Sequence, residues 1–565
     1  MTVTYTTTTI TAEGKPEWKL RAAAKRAEIH AGIPPEWLLP SSVLSSPPSN
    51  TLTYLRTSGI LTPLELEITE TVSAPVLLAR IAQGTYTAAA VTRAFSKRAA
   101  IAQQLTGCCT EMFFATALRE AEALDEHYAS TGGKTVGPLH GLPVSLKDLL
   151  DVQGVDTTEG WVGLIGKPAQ EDCGVVKVLR RLGAVMYVKT NISQSIMMSD
   201  SYNHVFLQNV HSHNRELISG GSSGGEGALV GCLGSIAGFG TDTGGSVRIP
   251  SNMQGCYGLA PTVGRVSFAD SGKQVRFIAP PVVGPITSSI ETMETVLEAY
   301  MNQGQPWLAE PFVYPIPWRS ELARKPETGK KLRIGWYVDD GQVLPQPPIT
   351  AQVRRVVGLL RDAGHEVLEW STPEHGELWA SWGKAIMADG GRYARDSCAL
   401  SGEPLIEGMI VGTDADLLTQ LEAEALSDRR VEHQKAYLRR WAESGVDALI
   451  CPTQTFTGMR TRVWVKSDQY VGYTCVWNWL GFAALAMPVG VIDEENAQPD
   501  ETWRTHEVRN KSDKFNHEIY EPSLVMGMPV GVQVIGGRFG EEKTLSVAKV
   551  IKELLDQDNA NNGKQ

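Results

Sequence analysis

Residues 220–229 read GGSSGGEGAL and residues 240–250 read GTDTGGSVRIP. Because glycine has no Cβ atom, backbone N–H groups in such glycine-rich loops can converge on one point, and a bound molecule can approach the main chain. Upstream, residues 141–148 read GLPVSLKD, where Lys147 follows a short apolar run that is typical of a buried strand. The three stretches predict a site built from one strand end and two backbone-lined loops.

The spacing of these stretches is as specific as their composition. Ser222 follows Lys147 by 75 residues, and Ser246 follows Ser222 by 24 residues. In motifs and spacing the chain resembles the amidase signature family, and within it the branch of fungal acetamidases and general amidases. Matching stretches are IPPEW at 33–37, SGIL at 58–61, KRAAIAQQL at 97–105, GPLH at 137–140 and GMPVGVQVIG at 527–536. The resemblance implies one large α/β/α domain around a mixed, twisted central sheet, the amidase signature fold.

Amide hydrolysis needs a nucleophile, a base, a proton for the leaving nitrogen and donors for the developing oxyanion. The resemblance implies Ser246 as nucleophile, Ser222 as bridging serine and Lys147 as base. A hydroxyl both donates and accepts, so Ser222 is suited to relay a proton. The resemblance further implies an oxyanion hole from the backbone of Thr243, Gly244, Gly245 and Ser246, and a supporting set of Ser223, Thr241, Asp242 and Arg248. Asp242 and Arg248 are expected to brace the loop as an ion pair.

A lysine acts as a base only when it is neutral. The reference pKa of lysine is about 10.4, so neutrality near pH 7 needs a drop of about three units, or roughly 4–5 kcal/mol. Full burial of the ammonium supplies shifts of that size, and the apolar neighbours of Lys147 within 142–150 permit burial. Asp148 would oppose the shift if it were close in space, and we expect it to point away. The alternative is a structural lysine that extends its amine to solvent.

Two shorter motifs suggest other chemistries. Residues 221–225 match G-x-S-x-G, the nucleophile elbow of α/β-hydrolases, with Ser223 as nucleophile. In that family the acid and the histidine follow the serine, and none of the eleven histidines has a recognisable context. Residues 130–135, STGGKT, contain the end of a phosphate-binding loop, but position 128 is Tyr where the pattern needs Gly. A solvated turn is the favoured interpretation of this second motif.

Composition excludes several classes of protein. Of the 565 residues, 42% are hydrophobic and 20% charged, which suits a large buried core and not a disordered chain. The formal net charge of −11 argues against nucleic acid as the main partner. Eight cysteines without a CxxC pair favour a reducing compartment. Since no apolar run resembles a signal peptide or a membrane span, the sequence predicts a cytoplasmic protein without membrane association.

Periodicity predicts how the chain is organised. Residues 1–75 are expected to form a largely helical N-terminal extension that packs on the core, with an amphipathic helix over 16–31. Residues 76–556 are assigned to one amidase signature domain, in which apolar runs alternate with helices as in an α/β fold with a mixed sheet covered on both faces. The predicted strands are 142–146, 185–188, 332–337, 448–451 and 531–535. The predicted helices are 174–182, 352–363, 415–444 and 543–555.

Two places depart from the family pattern. His211 and His213 lie where many relatives carry Asn-Pro, and we interpret them as surface or structural residues rather than metal ligands, since no third ligand is evident. Glu159 stands where relatives often have a small or apolar residue; it is interpreted as solvent-facing, with selection of a polar or cationic substrate as the alternative. Four further apolar side chains have two equally good interpretations, as the lining of an apolar acyl pocket or as part of the packed core. They are Met198, Trp477, Trp479 and Phe482.

The residues and the resemblance together predict a serine amidase that uses neither metal nor cofactor. Its expected substrates are small aliphatic or aryl carboxamides, cleaved to a carboxylate and ammonia or an amine through an acyl-enzyme on Ser246. One alternative is an amide of a secondary metabolite. Others are the amide-hydrolysing subunit of a tRNA-dependent amidotransferase and a binding protein on this fold. The expected partner is the small-molecule amide, and a homodimer is left open.

Overall fold

Thirteen strands occur in the part of the chain that the computed structural model describes, which comprises residues 16–268, 278–327, 329–467 and 469–561. Eleven of them form one large sheet, and β4 and β5 form a small antiparallel pair. The strands are β1 (Cys109–Met112), β2 (Pro143–Lys147), β3 (Val185–Thr190), β4 (Tyr202–Asn203), β5 (Leu207–Gln208), β6 (Ala237–Asp242), β7 (Tyr257–Ala260), β8 (Val282–Thr287), β9 (Arg333–Trp336), β10 (Glu366–Glu369), β11 (Ala448–Cys451), β12 (Ala483–Val491) and β13 (Pro529–Gly537).

Twenty-one α-helices accompany these strands within the described residues. They are α1 (Glu17–Ala31), α2 (Ser41–Ser45), α3 (Thr51–Thr57), α4 (Pro63–Thr69), α5 (Ala74–Ala82), α6 (Ala88–Thr106), α7 (Phe114–Ser130), α8 (Gly174–Arg181), α9 (Gly224–Gly231), α10 (Arg248–Gln254), α11 (Ile290–Glu298), α12 (Ser320–Ala323), α13 (Pro347–Asp362), α14 (His375–Ile386), α15 (Arg392–Ala399), α16 (Gln420–Ser444), α17 (Gly472–Leu480), α18 (Glu501–Arg504), α19 (Lys511–Glu518), α20 (Pro522–Val525) and α21 (Glu541–Asn561). Each predicted strand and helix is present, with ends shifted by a few residues. None of the helices described is both long and apolar enough to cross a bilayer.

The strand order of the large sheet is β1-β3-β2-β6-β8-β7-β12-β13-β11-β9-β10. β2 runs parallel to β3 and β6, and β9 runs parallel to β10 and β11, whereas the other neighbours are antiparallel. The sheet is therefore mixed, as predicted. Because the carboxyl ends of adjacent parallel strands lie at one edge of a sheet, Lys147 at the end of β2 lies beside the loop that follows β6.

Both faces of the sheet are buried. On β11, Ala448 and Ile450 belong to one apolar cluster, whereas Leu449 and Cys451 belong to a second. Alternate strand residues point to opposite faces, so the two clusters lie on opposite sides of the sheet. Helices α13 and α21 contribute to the first cluster, and α14, α16 and α17 contribute to the second. The predicted α/β/α architecture is confirmed.

Helices α1 to α4 lie in the predicted N-terminal extension, of which residues 1–15 fall outside the described part. Trp37, Leu55 and Ile68 belong to the same apolar cluster as residues of the central sheet. In α1 the buried Lys25 forms ion pairs with Glu111 at 2.8 Å and with Asp156 at 3.1 Å. The segment therefore shares the core of the chain, and the boundary at residue 75 stays a prediction.

Candidate active site

Lys147 is the last residue of β2 and is fully buried. Its Nζ donates to Ser222 Oγ and to Thr241 Oγ1, both at 2.8 Å. Burial lowers the pKa of Lys147 to about 7, against the opposing attraction of Asp242 and Glu226. The amine is therefore neutral in a large share of molecules near neutral pH, and the alternative of a lysine that extends to solvent is wrong.

The neighbouring Asp148 belongs to a different set of contacts. Its Oδ2 accepts the N–H and the Oγ1–H of Thr158 at 3.1 and 2.7 Å. Its Oδ1 accepts Thr110 Oγ1 at 3.2 Å and lies 3.5 Å from Lys189 Nζ. Asp148 therefore pairs with Lys189 and not with Lys147, as expected.

Ser222 and Ser246 line one small cavity from two different loops. Ser222 lies in the loop before α9 and is fully buried; Ser246 lies between β6 and α10 and is partly exposed. The Ser223 N–H donates to the Ser246 carbonyl at 3.2 Å, which joins the loops. Lys147 reaches the cavity through its hydrogen bond to Ser222, so the structure brings all three predicted catalytic residues to one place.

A buried ion pair braces the loop that carries Ser246. Asp242 ends β6 and Arg248 begins α10, and the Arg248 Nε and Nη2 atoms donate to the Asp242 carboxylate at 3.1 and 2.9 Å. The same carboxylate accepts the Gly245 and Val247 N–H groups at 2.8 and 3.1 Å. Burial alone would raise the pKa of Asp242, but the Arg248 charge and these donors outweigh burial and hold that pKa below its usual value. The expected ion pair therefore ties both ends of the loop together.

The backbone N–H groups after Asp242 divide into two kinds. The Gly245 N–H donates to Asp242, whereas those of Thr243, Gly244 and Ser246 have no acceptor among the described residues. Thr243, Gly244 and Ser246 also line the cavity, and Gly245 does not. The sequence predicts that the Gly245 N–H belongs to the oxyanion hole. In the structure this N–H donates to the Asp242 carboxylate instead.

Gly244 and Gly245 leave no room for a side chain. A Cβ atom at Gly244 would lie 2.4 Å from Trp382 Cζ2, and one at Gly245 would lie 2.4 Å from Thr474 Oγ1. Gly245 also has a φ of 128°, a conformation that L side chains rarely adopt. Close packing of the main chain against two distant segments therefore requires both glycines.

We expect Gly244→Ala to lower kcat/KM for a small amide by about 100-fold, because the added methyl displaces Trp382 or the loop that presents the N–H donors. The matched control is Gly383→Ala, next to Trp382 in α14, where an added Cβ meets nothing within 4 Å. The control should keep wild-type kinetics and gain helix stability. Steady-state kinetics with ammonia detection checks both variants, and a fully active Gly244→Ala would contradict the tight fit.

Ser223 supports β6 from a buried position. Its Oγ donates to the Thr241 carbonyl at 3.3 Å and accepts the Thr241 N–H at 3.4 Å. The side chain is fully buried and does not line the cavity. A nucleophile elbow needs an exposed serine Oγ, so that interpretation is wrong. The other motif, at 130–135, lies in a mostly exposed turn after α7, as predicted.

The apolar side of the cavity comes from segments far apart in the sequence. The cavity holds about 30 Å³. Trp382 in α14 is anchored there by its Nε1, which donates to the Thr243 carbonyl at 2.8 Å. The other apolar lining residues are Ile196, Met197, Met198, Ile249, Ile410 and Val471. Of the four side chains left open by the sequence, Met198 lines the cavity, and Trp477, Trp479 and Phe482 lie in the apolar core.

Glu159 is buried, so its predicted exposure to solvent is wrong. Its carboxylate accepts a hydrogen bond from the Tyr393 hydroxyl in α15. Glu159 does not line the cavity with Ser222 and Ser246. Its contact with Tyr393 instead connects the loop after β2 to the segment between α14 and α16.

His211 is buried and His213 is half-buried, and both make structural contacts. His211 Nε2 lies 2.7 Å from the Met253 carbonyl, and His211 Nδ1 accepts the His213 N–H at 2.9 Å. Burial lowers the pKa of His211 to about 3 and that of His213 to about 4, so both rings are neutral at neutral pH. Among the described residues there is no group of three or more His, Cys, Asp or Glu side chains that could hold a metal ion.

Sequence reasoning missed three residues of this site. Glu226 is buried near Lys147 and stands within the GGSSGGEG stretch itself, where an acidic residue in an otherwise small and neutral loop was the available signal. Asn478 Nδ2 donates to Asp242 at 2.9 Å, and Asn478 Oδ1 accepts Arg248 Nη2 at 2.6 Å. Trp382 and Asn478 carry no local signal, because only the tertiary fold brings α14 and α17 to the loop.

Residues 90–545 match the family model described as amidase. The chain belongs to the amidase family. It is 37% identical over 555 residues to the acetamidase of Emericella nidulans, covering 95% of this chain and 98% of that protein. It is 34% identical over 554 residues to the acetamidase of Aspergillus oryzae, covering 95% and 99%. The solved structure of a fatty acid amide hydrolase superposes with a TM-score of 0.90 at 32% identity, covering 95% of both chains.

Membership of the amidase family confirms the predicted fold and reaction class. As an amidase, the chain is a hydrolase of amide C–N bonds. The strand end, the two glycine-rich loops and the buried lysine lie within the matched residues. The family assignment identifies neither the substrate nor the role of each side chain, and both are argued from the geometry of the site.

Proposed function

We propose that this amidase cleaves small carboxamides through an acyl-enzyme on Ser246, with Lys147 as base and Ser222 as relay. The observation that carries the proposal is the 2.8 Å hydrogen bond between the buried Lys147 amine and Ser222 Oγ, at a cavity that Ser246 shares. A neutral amine accepts a proton, and a hydroxyl between base and nucleophile passes one on. No metal or cofactor enters the proposed reaction.

In the first half-reaction, the Ser246 hydroxyl gives its proton to Ser222, and Ser222 gives its own proton to Lys147. Ser246 Oγ attacks the substrate carbonyl carbon at the same time, and the carbonyl oxygen becomes an oxyanion. The relay then runs in reverse and protonates the leaving nitrogen, the C–N bond breaks, and ammonia or an amine departs. Water repeats the sequence on the ester, which releases the carboxylate and restores Ser246.

The oxyanion is held by the backbone of the 243–246 loop. The N–H groups of Thr243, Gly244 and Ser246 are its donors, because these three residues line the cavity and their N–H groups have no acceptor among the described residues. One such donor is worth on the order of 3 kcal/mol in the transition state. Gly245 contributes its shape and its hydrogen bond to Asp242, which holds the loop in place.

The size of the cavity supports a short acyl group. About 30 Å³ has room for about two water molecules, and Trp382, Ile410 and Val471 are among its apolar walls. Two of the relatives are named acetamidase, which agrees with a small amide. The solved relative is named for fatty acid amides, whereas the small cavity of this chain favours a shorter acyl group.

Trp382→Ala is expected to raise kcat/KM for hexanamide relative to acetamide by about tenfold or more, since each newly buried methylene contributes about 0.8 kcal/mol. The measurement is a chain-length series from acetamide to hexanamide with ammonia detection. Trp379→Ala is the control, because Trp379 stacks on Trp382 at 5.5 Å without lining the cavity. An unchanged chain-length ratio in Trp382→Ala would remove Trp382 from the acyl site. A wild-type enzyme that prefers a bulky secondary-metabolite amide would overturn the small-amide proposal.

The proposal includes a cytoplasmic location and an enzyme that acts without a partner subunit. All eight cysteines are free thiols, and seven are buried, which supports a cytoplasmic location. The proposed site needs a small-molecule amide and no partner subunit. Copurification of other subunits with the tagged chain would favour the amidotransferase alternative, and light scattering distinguishes a monomer from a homodimer.

A further inference from the structure

We propose that Glu226 is a positioning residue that sets the protonation state of Lys147 from within the protein. The inference rests on the proposed function, in which neutral Lys147 is the base. Glu226 touches neither the cavity nor the predicted nucleophile. It acts on the reaction only through the charge that it places near the lysine.

The position of Glu226 is fixed by two hydroxyls that flank Lys147. Glu226 lies in the first turn of α9 and is fully buried. Ser145 Oγ donates to its Oε2 at 2.6 Å, and Thr190 Oγ1 donates to its Oε1 at 2.9 Å. Ser145 precedes Lys147 by two residues on β2, and Thr190 is the direct partner of Lys147 on β3. Both therefore project from the same face of the sheet as Lys147.

The neighbouring strand leaves space for the carboxylate. Gly238 on β6 pairs with Ser145 on β2. A Cβ atom at Gly238 would lie 1.9 Å from Glu226 Oε2 and 2.4 Å from Ser145 Oγ. Any side chain at position 238 would displace the Glu226 carboxylate from its place against β2 and β6. The glycine therefore makes the contact between α9 and β2 possible.

Glu226 is held by hydroxyls and not by a cation. Within the described residues no ion pair includes it, and Lys147 is the one cation that acts on it electrostatically. Burial raises the pKa of Glu226 to about 7, against the two hydrogen bonds and the attraction of Lys147. Hydroxyl partners can donate to a carboxylate or accept from a carboxylic acid. The site therefore accommodates both charge states of Glu226.

The other titratable groups near Lys147 and Glu226 keep the same charge throughout the pH range near neutrality. On the Lys147 side, Asp242 on β6 is held ionised by Arg248, which lowers its pKa despite burial. On the Glu226 side, Cys109 on β1 and Tyr187 on β3 are buried, and burial raises the pKa of both, which keeps them neutral. Glu226 is thus the neighbour of Lys147 whose charge changes near neutral pH.

The direction of the effect follows from Coulomb attraction. An ionised Glu226 favours the Lys147 ammonium and raises the pKa of the lysine; a protonated Glu226 lets the amine be neutral at lower pH. In the wild-type enzyme, the attraction of Glu226 moves the onset of activity to higher pH. Removing its charge should therefore move the acid limb of kcat/KM to lower pH.

The test is the pH profile of kcat/KM for Glu226→Gln, which keeps the size and hydrogen-bonding capacity of the side chain. The acid limb should shift down by about half a unit to one unit, with the plateau at higher pH retained. Ser145→Ala is a second variant should Glu226→Gln fail to fold. It removes a donor to the ionised carboxylate, so it should shift the limb in the same direction by less.

Glu541→Gln is the matched control. Glu541 is also a fully buried carboxyl in the first turn of a helix, α21, and burial also raises its pKa, but it pairs with Arg265 and does not act on Lys147. The acid limb of kcat/KM for Glu541→Gln should coincide with that of the wild type. The same shift in Glu541→Gln would overturn the inference, and so would an unmoved limb in Glu226→Gln if the pKa of the Lys147 amine is also unmoved.

A direct titration of the lysine separates this inference from the proposed function. The ¹³C signal of ε-labelled Lys147 is assigned by its loss in Lys147→Met and followed with pH in wild type and Glu226→Gln. A lower pKa of the amine without a shift of the kinetic limb would retain the Glu226 inference and refute Lys147 as base. An unmoved amine pKa would refute the inference and leave the base untouched.

Discussion

Ser246→Ala is expected to lower kcat/KM for a small amide by on the order of 10⁴-fold or more. The variant removes the one hydroxyl that we assign to the acyl-enzyme, because Ser222 is held by Lys147 and Ser223 is buried against Thr241. The Asp242–Arg248 pair braces the loop without the Ser246 side chain, so the fold should persist. Kinetics with ammonia detection and thermal unfolding together test this expectation.

Ser223→Ala is the matched comparison for that variant. It should reduce activity by about tenfold, since its hydrogen bonds to the Thr241 main chain position a contact of Lys147 and take no part in bond making. If Ser223→Ala abolished turnover while Ser246→Ala retained it, the nucleophile would be Ser223. Equal and modest losses in both variants would mean that the acyl-enzyme forms elsewhere.

Lys147→Met is expected to lower kcat/KM at pH 7 by about 10³- to 10⁴-fold, because the variant removes the general base. Burial lowers the pKa of Lys147 to about 7, and only the neutral amine accepts the relayed proton. Wild-type kcat/KM should therefore fall about tenfold for each unit of pH below that value. The residual activity of Lys147→Met should lack this limb. A wild-type profile flat down to about pH 5 would contradict the assignment.

The same substitution should stabilise the fold near neutral pH. Lys147 has a pKa of about 7 in the folded chain and an ordinary value of 10.5 when exposed. Between these values the unfolded chain binds more protons, so wild-type stability rises as pH rises. Methionine has a similar shape and no charge to desolvate. The melting temperature of Lys147→Met should exceed that of the wild type most clearly near pH 7, and the gap should narrow toward pH 10; a gap that widened would refute the depressed pKa.

The parts of the site that the sequence predicted are those with local signals. Lys147 ends an apolar run that becomes β2, and Ser222 and Ser246 stand in glycine-rich loops whose composition already indicates close approach of the main chain. Strand and helix identities also follow from periodicity over a few residues. These features depend on neighbours in the chain, so a single sequence contains them.

The rest depends on contacts between distant segments. Trp382 and Asn478 reach the Ser246 loop from α14 and α17, and nothing in their own surroundings marks them. The sequence predicts that Glu159 lies in solvent, because a lone carboxylate usually does. In the structure Glu159 is buried and accepts a hydrogen bond from Tyr393 of α15. The Gly245 N–H donates to the Asp242 carboxylate and so does not serve the oxyanion. This hydrogen bond depends on the folded path of the loop.

The most direct measurement of the proposed chemistry is labelling with a fluorophosphonate probe followed by peptide mapping. The probe reacts with an activated serine and remains covalently attached. Modification should occur on Ser246, should be lost in Ser246→Ala, and should slow strongly in Lys147→Met. Labelling of Ser222 or Ser223 instead, or no labelling of enzyme that hydrolyses amides, would contradict an acyl-enzyme on Ser246.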